Sequence, residues 1–374
     1  MNVANGRSVL IVGASFAGLA SAWWMSELGY EVVVVELAPA MRRGGTAVNI
    51  QGDTIDVVKR MGLFEKIESR RLNLRRFEFK DSDDSTVRSI ALRAPDEPPA
   101  EDDYEIERDV LMDILFDAVR DRCEIVFGDS VTALSEAGRM AVTFRNGRPR
   151  SFDLVLGCDG THSTVRRMWF GEEARYVHYL GQYFSITIVD KLLIERDTAQ
   201  MYNEPSKGVM LNAYNGKTDI IFNFASDQEI AYDHRDEARQ KSMIAAQFAD
   251  VGWRAAELLR EVDRSNSFYF DKLCQIRMPS WSKGPVVLVG DSAYCPSPAA
   301  GRGGSLAIDG AAALGEAMRL AQGDHAMALR KYEENFRPFV DQVQGEAVRV
   351  GLETLLPRTE DAIRERNSKT GAGF

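Results

Sequence analysis

Continuous hydrophobic runs and a helical pattern alternate at the start of the chain. Residues 8–12 (SVLIV) and 31–35 (EVVVV) have the length and composition of buried strands, and residues 16–28 between them are apolar enough for a buried helix. A strand, a helix and a second strand in this order form a βαβ unit, in which the two strands run parallel. Gly29 follows the helix directly, as glycine often does at a helix C-terminus. The pattern predicts an α/β fold built on a parallel sheet.

Alternating apolar and polar positions dominate the middle of the chain. Residues 75–80 and 86–92 alternate around the acidic turn DSDDS, and the segments GQYFSITIVD, GVMLNAY and TDIIFNF alternate within residues 176–278. This period of two predicts antiparallel hairpins, and Asn215-Gly216 is a strong turn signal between the last two segments. Residues 237–260 have instead the pattern of one long amphipathic helix. A β-rich part is therefore expected within the α/β part.

These patterns divide the chain into two interleaved domains. Residues 1–74, 101–174 and 279–374 are predicted to form a Rossmann-like, nucleotide-binding α/β domain with C-terminal helices. Residues 75–100 and 175–278 are predicted to form an inserted antiparallel β-sheet domain. An insert in this place would cover the nucleotide site as the roof of a substrate pocket.

Composition and charge narrow the class of protein. With 45% hydrophobic and 27% charged residues, the 374-residue chain has an ordinary globular composition. Its net charge of −10 argues against nucleic acid or an anionic membrane as a partner. The four cysteines are far apart and form no C-x-x-C pair, so neither a disulfide framework nor a metal site is expected. Since no long apolar run or signal peptide is recognisable, a cytoplasmic protein, monomeric or homodimeric, is expected.

The turn after the first strand carries a dinucleotide-binding pattern. GASFAG provides Gly13 for a tight turn and Gly18 for close packing of helix and strand, while Ser15 replaces the middle glycine of G-x-G-x-x-G. The N–H groups at the start of the next helix can bind a pyrophosphate. Glu36, at the end of the second strand, is placed to accept hydrogen bonds from a ribose. The motif indicates a dinucleotide and leaves its identity open.

Two later strand ends carry acidic turns of a similar kind. Asp159-Gly160 follows a strand and precedes a helix that Ser163 is predicted to cap. Residues 286–289 form another buried strand, which ends in Gly290-Asp291 and leads into the loop CPSPAAGRGG and a helix. Asp291 could bind a polyol hydroxyl, the loop glycines would let N–H groups approach a planar ring, and the helix N-terminus suits an anionic ring. A dehydrogenase that uses only NAD does not need this second set of residues, whereas a protein that binds a flavin does.

Several charged residues lie near these motifs. Arg42 and Arg43 follow the ribose-binding acid, and they fit a solvated surface pair as well as they fit contacts to a phosphate or a nicotinamide nucleotide. Arg108 stands at the start of a predicted helix, for which Asp109 is the expected N-cap, and an exposed position is the alternative for Arg108. The four histidines show no partner arrangement that suggests acid–base or metal chemistry, although His162 lies inside the second acidic turn. No protein general base is predicted.

The roof strands supply candidates for the substrate pocket. Met210 and Tyr214 share one face of a predicted strand, and Tyr183 and Phe224 lie on two neighbouring strands. Aromatic residues at this period are more often sheet core than ligand contacts, so both interpretations stay open. The same strands carry three amides, Asn203, Asn212 and Asn223. An apolar roof with a few amides suits an aromatic or polycyclic substrate.

The three motifs together resemble those of a known family, the single-component FAD-dependent aromatic monooxygenases with the fold of para-hydroxybenzoate hydroxylase. The motifs are GASFAG with Glu36, CDGTHSTVR at residues 158–166 and GDSAYCPSPAAGRGG at residues 290–304, in the family's order. In length and loop style the chain is similar to the tetracycline-inactivating monooxygenases. The resemblance implies an α/β fold with a Rossmann-like FAD-binding domain, an inserted antiparallel β-sheet substrate domain and C-terminal helices.

The resemblance also implies which residues bind FAD. The ADP half would be held by Gly13, Ser15, Gly18 and Glu36, the ribitol by Asp291, and the ring system by Pro298, Gly301, Gly303 and Gly304. Arg108 matches an arginine that reaches the flavin nucleotide, and Asn49 lies near a flavin-contacting position. Asp159 and Arg166 match a signature tied to FAD and pyridine nucleotide binding, and Arg42 corresponds to an arginine implicated in NADPH contact. Ser305 stands where many members have asparagine.

The activity that the resemblance implies is a monooxygenase reaction. NADPH or NADH, a transient co-substrate, reduces FAD, O₂ forms a flavin C4a-hydroperoxide, and one oxygen atom reaches an aromatic or polycyclic small molecule such as a natural product or an antibiotic. The flavin performs the bond chemistry, so no catalytic side chain is expected. Alternatives on the same fold are a reductase and a flavin-dependent halogenase, although the halogenase stretch W-x-W-x-I-P is absent. A non-redox binding protein of the GDP-dissociation-inhibitor type would not need the loop at residues 291–304.

Overall fold

Two large sheets organise the molecule, of which the computed structural model describes residues 6–93 and 103–369. The strands are β1 Ser8–Val12, β2 Glu31–Glu36, β3 Val48–Gln51, β4 Arg76–Lys80, β5 Thr86–Ala91, β6 Asp103–Ile106, β7 Glu124–Phe127, β8 Val131–Ala137, β9 Arg139–Phe144, β10 Arg150–Phe152, β11 Leu154–Gly157, β12 Val177–Val189, β13 Thr198–Glu204, β14 Lys207–Tyr214, β15 Lys217–Ala225, β16 Phe268–Ile276, β17 Ser282–Lys283 and β18 Val286–Leu288. The α-helices are α1 Phe16–Glu27, α2 Asp53–Arg60, α3 Phe64–Glu68, α4 Arg108–Val119, α5 Thr164–Trp169, α6 Glu237–Gln247, α7 Ala255–Arg264, α8 Asp291–Tyr294, α9 Gly303–Ala321, α10 His325–Glu346, α11 Leu352–Leu355 and α12 Glu360–Ser368. Short 3₁₀ turns cover Glu173–Arg175 and Pro298–Ala300, and a π-helical turn, Ala347–Gly351, joins α10 to α11.

The first sheet has six strands in the order β17-β18-β11-β1-β2-β7, and only the edge strand β17 is antiparallel to its neighbour. Every residue of β1 is buried, as a parallel strand covered on both faces requires. Helix α1 is buried along most of its length, from Phe16 to Met25, which explains why its sequence is apolar all round. Gly29 follows it with a φ of +79°, so the predicted βαβ unit and its helix stop are confirmed.

The second sheet has seven strands in the order β16-β12-β15-β14-β13-β4-β5. All its pairings are antiparallel except that of β13 with β4. Asn215 and Gly216 both have positive φ in the tight turn between β14 and β15, as a two-residue hairpin requires. The predicted fold class, an α/β domain with an inserted β-sheet, is confirmed, while the exact domain boundaries stay a prediction.

Two predicted elements are divided in the structure. The single helix expected over residues 237–260 is wrong, because α6 and α7 are separate helices. Between them the backbone N–H of Gly252 donates to the carboxylate of Glu204, 2.8 Å away, and Trp253 adopts a φ of +53°. The apolar pattern of residues 150–156 (RSFDLVL) likewise predicts one strand, which the structure divides into β10 and β11, because Asp153 between them accepts a hydrogen bond from the N–H of Ser8 at 2.7 Å. In both places a contact to a distant segment overrides the local pattern.

The C-terminal helices divide between the two sheets: α10 packs beside the first sheet, where the hydroxyl of Tyr332 donates to the carbonyl oxygen of Leu288, whereas α12 packs against β5 and β13 of the second sheet. Tyr332 and Phe336 of α10 form an aromatic cluster with Trp281 and Tyr294, and the two tyrosine hydroxyls lie 2.9 Å apart. No helix within residues 6–93 and 103–369 combines the length and the hydrophobicity needed to cross a membrane. The polar last residues, 367–374, are expected to form a frayed tail; Asn367 and Ser368 belong instead to α12, and the residues from 370 onward lie outside the described residues.

Asp309, a buried acid in α9, should make the stability of the protein depend on pH. Its Oδ2 accepts a hydrogen bond from the hydroxyl of Thr54 at 2.9 Å, and its Oδ1 is buried with no partner among the described residues. Burial raises the pKa of Asp309 to about 7. Because this pKa is raised in the folded state, the stability of the wild-type protein is expected to fall as pH rises from about 4 to above 7, by roughly 4 kcal/mol at most.

The Asp309→Asn variant tests this expectation, because asparagine stays neutral and can still bond to Thr54. We expect its melting temperature to exceed that of the wild type at pH 8 and the difference to shrink at pH 5, measured by thermal unfolding. A surface acid without burial, as in Asp113→Asn, should show no such pH-dependent difference. Equal shifts at both pH values would contradict the prediction.

Candidate functional site

The turn between β1 and α1 leaves no room for side chains at its glycines. Gly13 has a φ of +104°, and a Cβ atom built on it would lie 2.4 Å from the carbonyl oxygen of Cys158. A Cβ atom on Gly18 would lie 1.9 Å from the carbonyl oxygen of Gly13. Main chain therefore packs directly on main chain, which brings the N-terminus of α1 to the carboxyl edge of the sheet. Ser15 precedes α1 without a side-chain cap, which leaves the first N–H groups of the helix for an anion.

Glu36 is held firmly at the end of β2. Its Oε2 accepts a hydrogen bond from the N–H of Ala14 and its Oε1 accepts one from the N–H of Ala38, both at 2.9 Å. Each carboxylate oxygen has a further lone pair, so Glu36 can also accept hydrogen bonds from ribose hydroxyls. Arg42 lies 3.8 Å away through its Nε, with two thirds of its side chain exposed. The structure thus places Arg42 on the surface beside Glu36.

Arg108 joins α4 to the glycine loop at residues 42–46. Its Nη1 donates to the carbonyl oxygen of Gly44 at 2.9 Å, and its Nη2 lies 3.5 Å from the hydroxyl of Ser15. Burial lowers the pKa of Arg108, although the carboxylate of Asp109 acts against this. The exposed position considered for Arg108 is therefore wrong. So is the predicted N-cap, because Asp109 lies within α4 and accepts a hydrogen bond from the N–H of Gly44 at 3.0 Å.

The acidic turn at Asp159 is occupied by the protein's own hydrogen bonds. Its carboxylate accepts from the hydroxyl of Ser163 at 2.5 Å and from the N–H of Thr164 at 2.7 Å. Ser163 caps α5 by accepting from the N–H of Arg166, as predicted. The fully buried guanidinium of Arg166 donates to the carbonyl oxygen of Ser292 at 2.8 Å, and burial lowers its pKa. Asp159 thus fixes the start of α5 and Arg166 fixes the turn that carries Asp291, while direct contact of either with a nucleotide stays a prediction.

Asp291 follows β18 at the carboxyl edge of the sheet. Gly290 before it has a φ of +72°, and a Cβ atom there would lie 2.8 Å from the side chain of Ala17, so the turn packs against α1. Burial raises the pKa of Asp291 to about 6, and its hydrogen-bonding partner among the described residues is the weakly donating thiol of Cys295. A partly buried carboxylate with so little internal hydrogen bonding is suited to accept hydrogen bonds from ligand hydroxyls.

The loop between α8 and α9 presents glycines to open space. Gly301 has a φ of +63°, and Cβ atoms built on Gly301 or Gly303 would meet nothing within 4 Å in the described part of the chain. Pro298 is exposed at the start of the preceding 3₁₀ turn. A Cβ atom on Gly304 would lie 3.4 Å from the ring of Phe16 and from Val48, so this glycine seats α9 against α1 and β3. The free side of the loop can accommodate a flat ring.

Ser305 and Asn49 are brought together across the same loop. The hydroxyl of Ser305 donates to the backbone carbonyl oxygen of Asn49 at 2.5 Å, and only 3% of Ser305 is exposed. The serine therefore fastens the start of α9 to β3. This explains how the chain uses the position where asparagine is common in the family that it resembles.

The seven-stranded sheet has two faces with different surroundings. One face packs against α6 and α7 and carries Tyr183 and Phe224, which are 0% and 1% exposed and stack on each other at 5.3 Å. The structure thus contradicts the prediction that these two residues line the substrate pocket: they are core residues, because their positions alternate with those that face the other way. The period of two predicts this alternation, but it does not determine which of the two faces is buried.

The opposite face of this sheet is directed toward the first sheet. Its contacts there include the hydroxyl of Thr46, which donates to the carboxylate of Asp219 at 2.7 Å. Tyr214 lies on this face and donates to the same carboxylate at 2.7 Å. Met210 also lies on it but packs against the cluster around Phe79. Met210 and Tyr214 are therefore on the side predicted for them, and contact with a substrate stays a prediction.

A row of cross-strand neighbours crosses the middle of this face. The strand register pairs Tyr269 with Ile186, Ile186 with Ile221, and Ile221 with Met210. Half of the surface of Tyr269 is exposed, and its ring lies 5.7 Å from that of Phe184. We define the space between this row and the loops of the first sheet as the cleft. The sequence patterns do not single out Tyr269 or Ile186 as cleft residues. The alternation that turns Tyr183 toward the core nevertheless places Phe184 and Ile186 on the cleft side.

His162 has the partner arrangement that the sequence did not reveal. Its Nδ1 lies 3.1 Å from Oε1 of Glu173. Its Nε2 lies 3.3 Å from Oδ2 of Asp271 in β16 of the seven-stranded sheet, which we call the roof sheet. These two hydrogen bonds raise the pKa of His162 to about 9. The prediction that no histidine has such partners is therefore wrong. The chemical signal was absent from the sequence because the two acids are contributed by other segments.

Comparisons with known proteins agree with this architecture. A family model described as FAD binding domain matches residues 7–347. The uncharacterized protein Rv1260 of Mycobacterium tuberculosis is 35% identical over 343 residues, which are 90% of this chain and 92% of that protein. A protein of Legionella longbeachae with the name flavin-dependent monooxygenase is 32% identical over 371 residues, which are 96% and 93% of the two chains. The crystal structure of the tetracycline destructase Tet(51) has a TM-score of 0.86 and 32% identity, with 96% of this chain and 94% of that chain covered.

Proposed function

Since the chain belongs to the FAD-binding domain family, we propose that it is a flavin-dependent monooxygenase that uses NADPH or NADH and O₂ to oxygenate an aromatic or polycyclic small molecule. The observation that carries the proposal is the second site, which consists of the carboxylate of Asp291 and the open glycines of the loop at residues 301–304. A protein that binds only a dinucleotide such as NAD has no use for it. The relatives named flavin-dependent monooxygenase and tetracycline destructase support the same reaction class.

The residues of the site fit FAD. Gly13 and Gly18 leave main chain where a pyrophosphate must approach, and Glu36 has lone pairs for the ribose. The under-bonded carboxylate of Asp291 would accept hydrogen bonds from the ribitol. The open side of Gly301, with Gly303, Gly304 and Pro298 nearby, would receive the ring system. When bound, FAD supplies the electron transfer from NAD(P)H and the activation of O₂.

The protein's own contribution is to position the substrate and to exclude water. Ile186, Ile221 and Met210 give the cleft an apolar wall, and Asn212 and Asn223 add amides on the same face. Such a wall suits a ring system with a few polar substituents. Exclusion of water by the roof would protect reactive oxygen chemistry from hydrolysis and uncoupling. The ion pair between Arg43 and Asp113 leaves Arg42 as the basic side chain that we expect to contact NADPH.

Spectroscopy and turnover test the proposal together. The purified protein is expected to show the absorption bands of an oxidised flavin, either as isolated or after reconstitution with FAD. NADPH and NADH oxidation should then be stimulated by some member of a panel of phenols, polyketides and tetracyclines, with H₂O₂ measured to exclude uncoupling. A reaction without substrate is the control. A colourless protein that cannot be reconstituted, or a flavoprotein whose NAD(P)H oxidation yields only H₂O₂ with every compound, would overturn the proposal.

A further inference from the structure

A chain of hydrogen bonds runs from the cleft to the surface through Tyr269. The hydroxyl of Tyr269 donates to Oδ2 of Asp271 at 2.9 Å, and Asp271 in turn contacts His162, whose side chain is one third exposed. Tyr269 follows Ser267 by two residues, and the hydroxyl of Ser267 would lie 3.2 Å from a Cβ atom on Gly44, the residue that Arg108 contacts. The electrostatic influence of Asp291 and Arg108 on Tyr269 agrees with a position near the proposed cofactor site. Nothing in the reaction proposed above has yet used this network.

The donors around Asp271 fix the direction of each hydrogen bond. Its Oδ1 accepts from the hydroxyl of Tyr232 at 2.6 Å and from the N–H of Lys272 at 2.8 Å. Its Oδ2 faces His162, whose two ring nitrogens both meet carboxylates and therefore both carry protons. Burial acts to raise the pKa of Asp271, but the hydrogen bonds from His162 and Tyr232 lower it overall. Asp271 is thus an ionised acceptor that is surrounded by donors.

This arrangement determines what Tyr269 can offer to a ligand. A phenol hydroxyl has a single proton, and Tyr269 donates it in the hydrogen bond to Asp271. In the described part of the chain no other hydrogen bond to the Tyr269 oxygen is formed, so this oxygen presents only lone pairs to the cleft. A hydrogen bond to an ionised partner also increases the negative charge on the phenol oxygen and makes it a better acceptor. The neighbouring residues of the row, Ile186 and Ile221, have apolar side chains that cannot accept a hydrogen bond.

We infer that Tyr269 is a specificity-determining residue that accepts a hydrogen bond from a hydroxyl or N–H group of the substrate, and that Asp271 and His162 position it. The inference rests on the proposed function and deepens it: the substrate is an apolar ring system that carries a hydrogen-bond donor. A ring whose hydroxyl is blocked by a methyl group cannot donate, and it leaves the Tyr269 oxygen unpaired. The cleft therefore distinguishes phenols from their methyl ethers.

Binding of 1-naphthol and of 1-methoxynaphthalene to the oxidised holoenzyme, measured by isothermal titration calorimetry without NAD(P)H, tests the inference. We expect the wild type to bind the phenol about tenfold more tightly than the ether, as one hydrogen bond predicts. In Tyr269→Phe the preference should disappear because phenol binding weakens, while ether binding stays the same. In turnover with any phenolic substrate from the panel, Tyr269→Phe should raise KM with less effect on kcat.

Tyr176→Phe is the matched control, because its hydroxyl bonds to the carbonyl oxygen of Phe170 at 2.7 Å, away from the cleft. This variant should keep the wild-type preference. A preference retained in Tyr269→Phe, equal binding of the two compounds to the wild type, or no binding of either would overturn the inference. Failure of the proposed function is recognised separately, since it leaves a protein without flavin or without coupled NAD(P)H oxidation.

Discussion

An Asp291→Ala variant is expected to lose FAD during purification while it keeps its fold. The carboxylate lies at the carboxyl end of β18, and its pKa is raised to about 6 because burial disfavours the ionised form. Hydrogen bonds from ligand hydroxyls to such a group contribute about 1.5–3 kcal/mol, so their removal should weaken FAD binding roughly ten- to hundredfold. The protein itself loses no strong hydrogen bond, and above pH 6 it is relieved of a buried charge.

The flavin-to-protein ratio after gel filtration, together with circular dichroism, measures this effect. Asp113→Ala is the matched control, because Asp113 is a half-exposed acid whose partner is Arg43 on the surface, and it should retain its flavin. Asp291→Asn, which keeps an acceptor oxygen, should give an intermediate flavin content. Stoichiometric flavin in Asp291→Ala would show that the ribitol is bound elsewhere.

A Gly18→Ala variant is expected to be strongly destabilised. Its Cβ atom would lie 1.9 Å from the carbonyl oxygen of Gly13, and a main-chain atom cannot turn aside as a side chain can. The first turn of α1 would have to move away from the β1 turn, at an expected cost of about 4 kcal/mol or more. The same displacement would enlarge the turn that we propose binds the pyrophosphate, so the flavin should be lost along with the stability.

Thermal unfolding and soluble yield measure the effect of Gly18→Ala. Gly345→Ala is the control on a second helix, because a Cβ atom there meets nothing within 4 Å in the described residues. The stability of Gly345→Ala should rise by less than about 1 kcal/mol, because alanine has a higher helix propensity than glycine. If Gly18→Ala melted at the wild-type temperature with its flavin bound, the close main-chain packing of the turn would be refuted.

The first sheet and its turns could be predicted from the sequence because their signals are local. Gly13, Gly18 and Glu36 lie within one βαβ unit, where spacing alone determines geometry. Ser163 likewise caps the helix that it directly precedes. The cap expected of Asp109 failed for the opposite reason, because the N–H of Gly44, far away in the chain, binds its carboxylate.

The roof was predicted in its strands but not in its orientation. The period of two groups Tyr183 with one set of side chains and Phe184 with the other, yet only the packing of α6 and α7 decides which set is buried. His162 shows the same limit, since Glu173 and Asp271 meet it from a turn and from a different sheet. Sequence patterns identify elements and faces, whereas partners from distant segments must be observed.

The alternation of side chains in the roof sheet separates the residues that stabilise the sheet from those that we expect to contact the substrate. In many enzymes the same residues serve both purposes. Phe222 and Leu211 point into the core under α6 and α7, while their chain neighbours Ile221 and Met210 lie on the opposite face. Residues such as Ile186 and Ile221 can therefore be varied while the core under α6 and α7 is left untouched. Natural evolution or a designed library could change these residues while the core of the sheet stays the same. The loops that we expect to bind FAD follow strands of the other sheet.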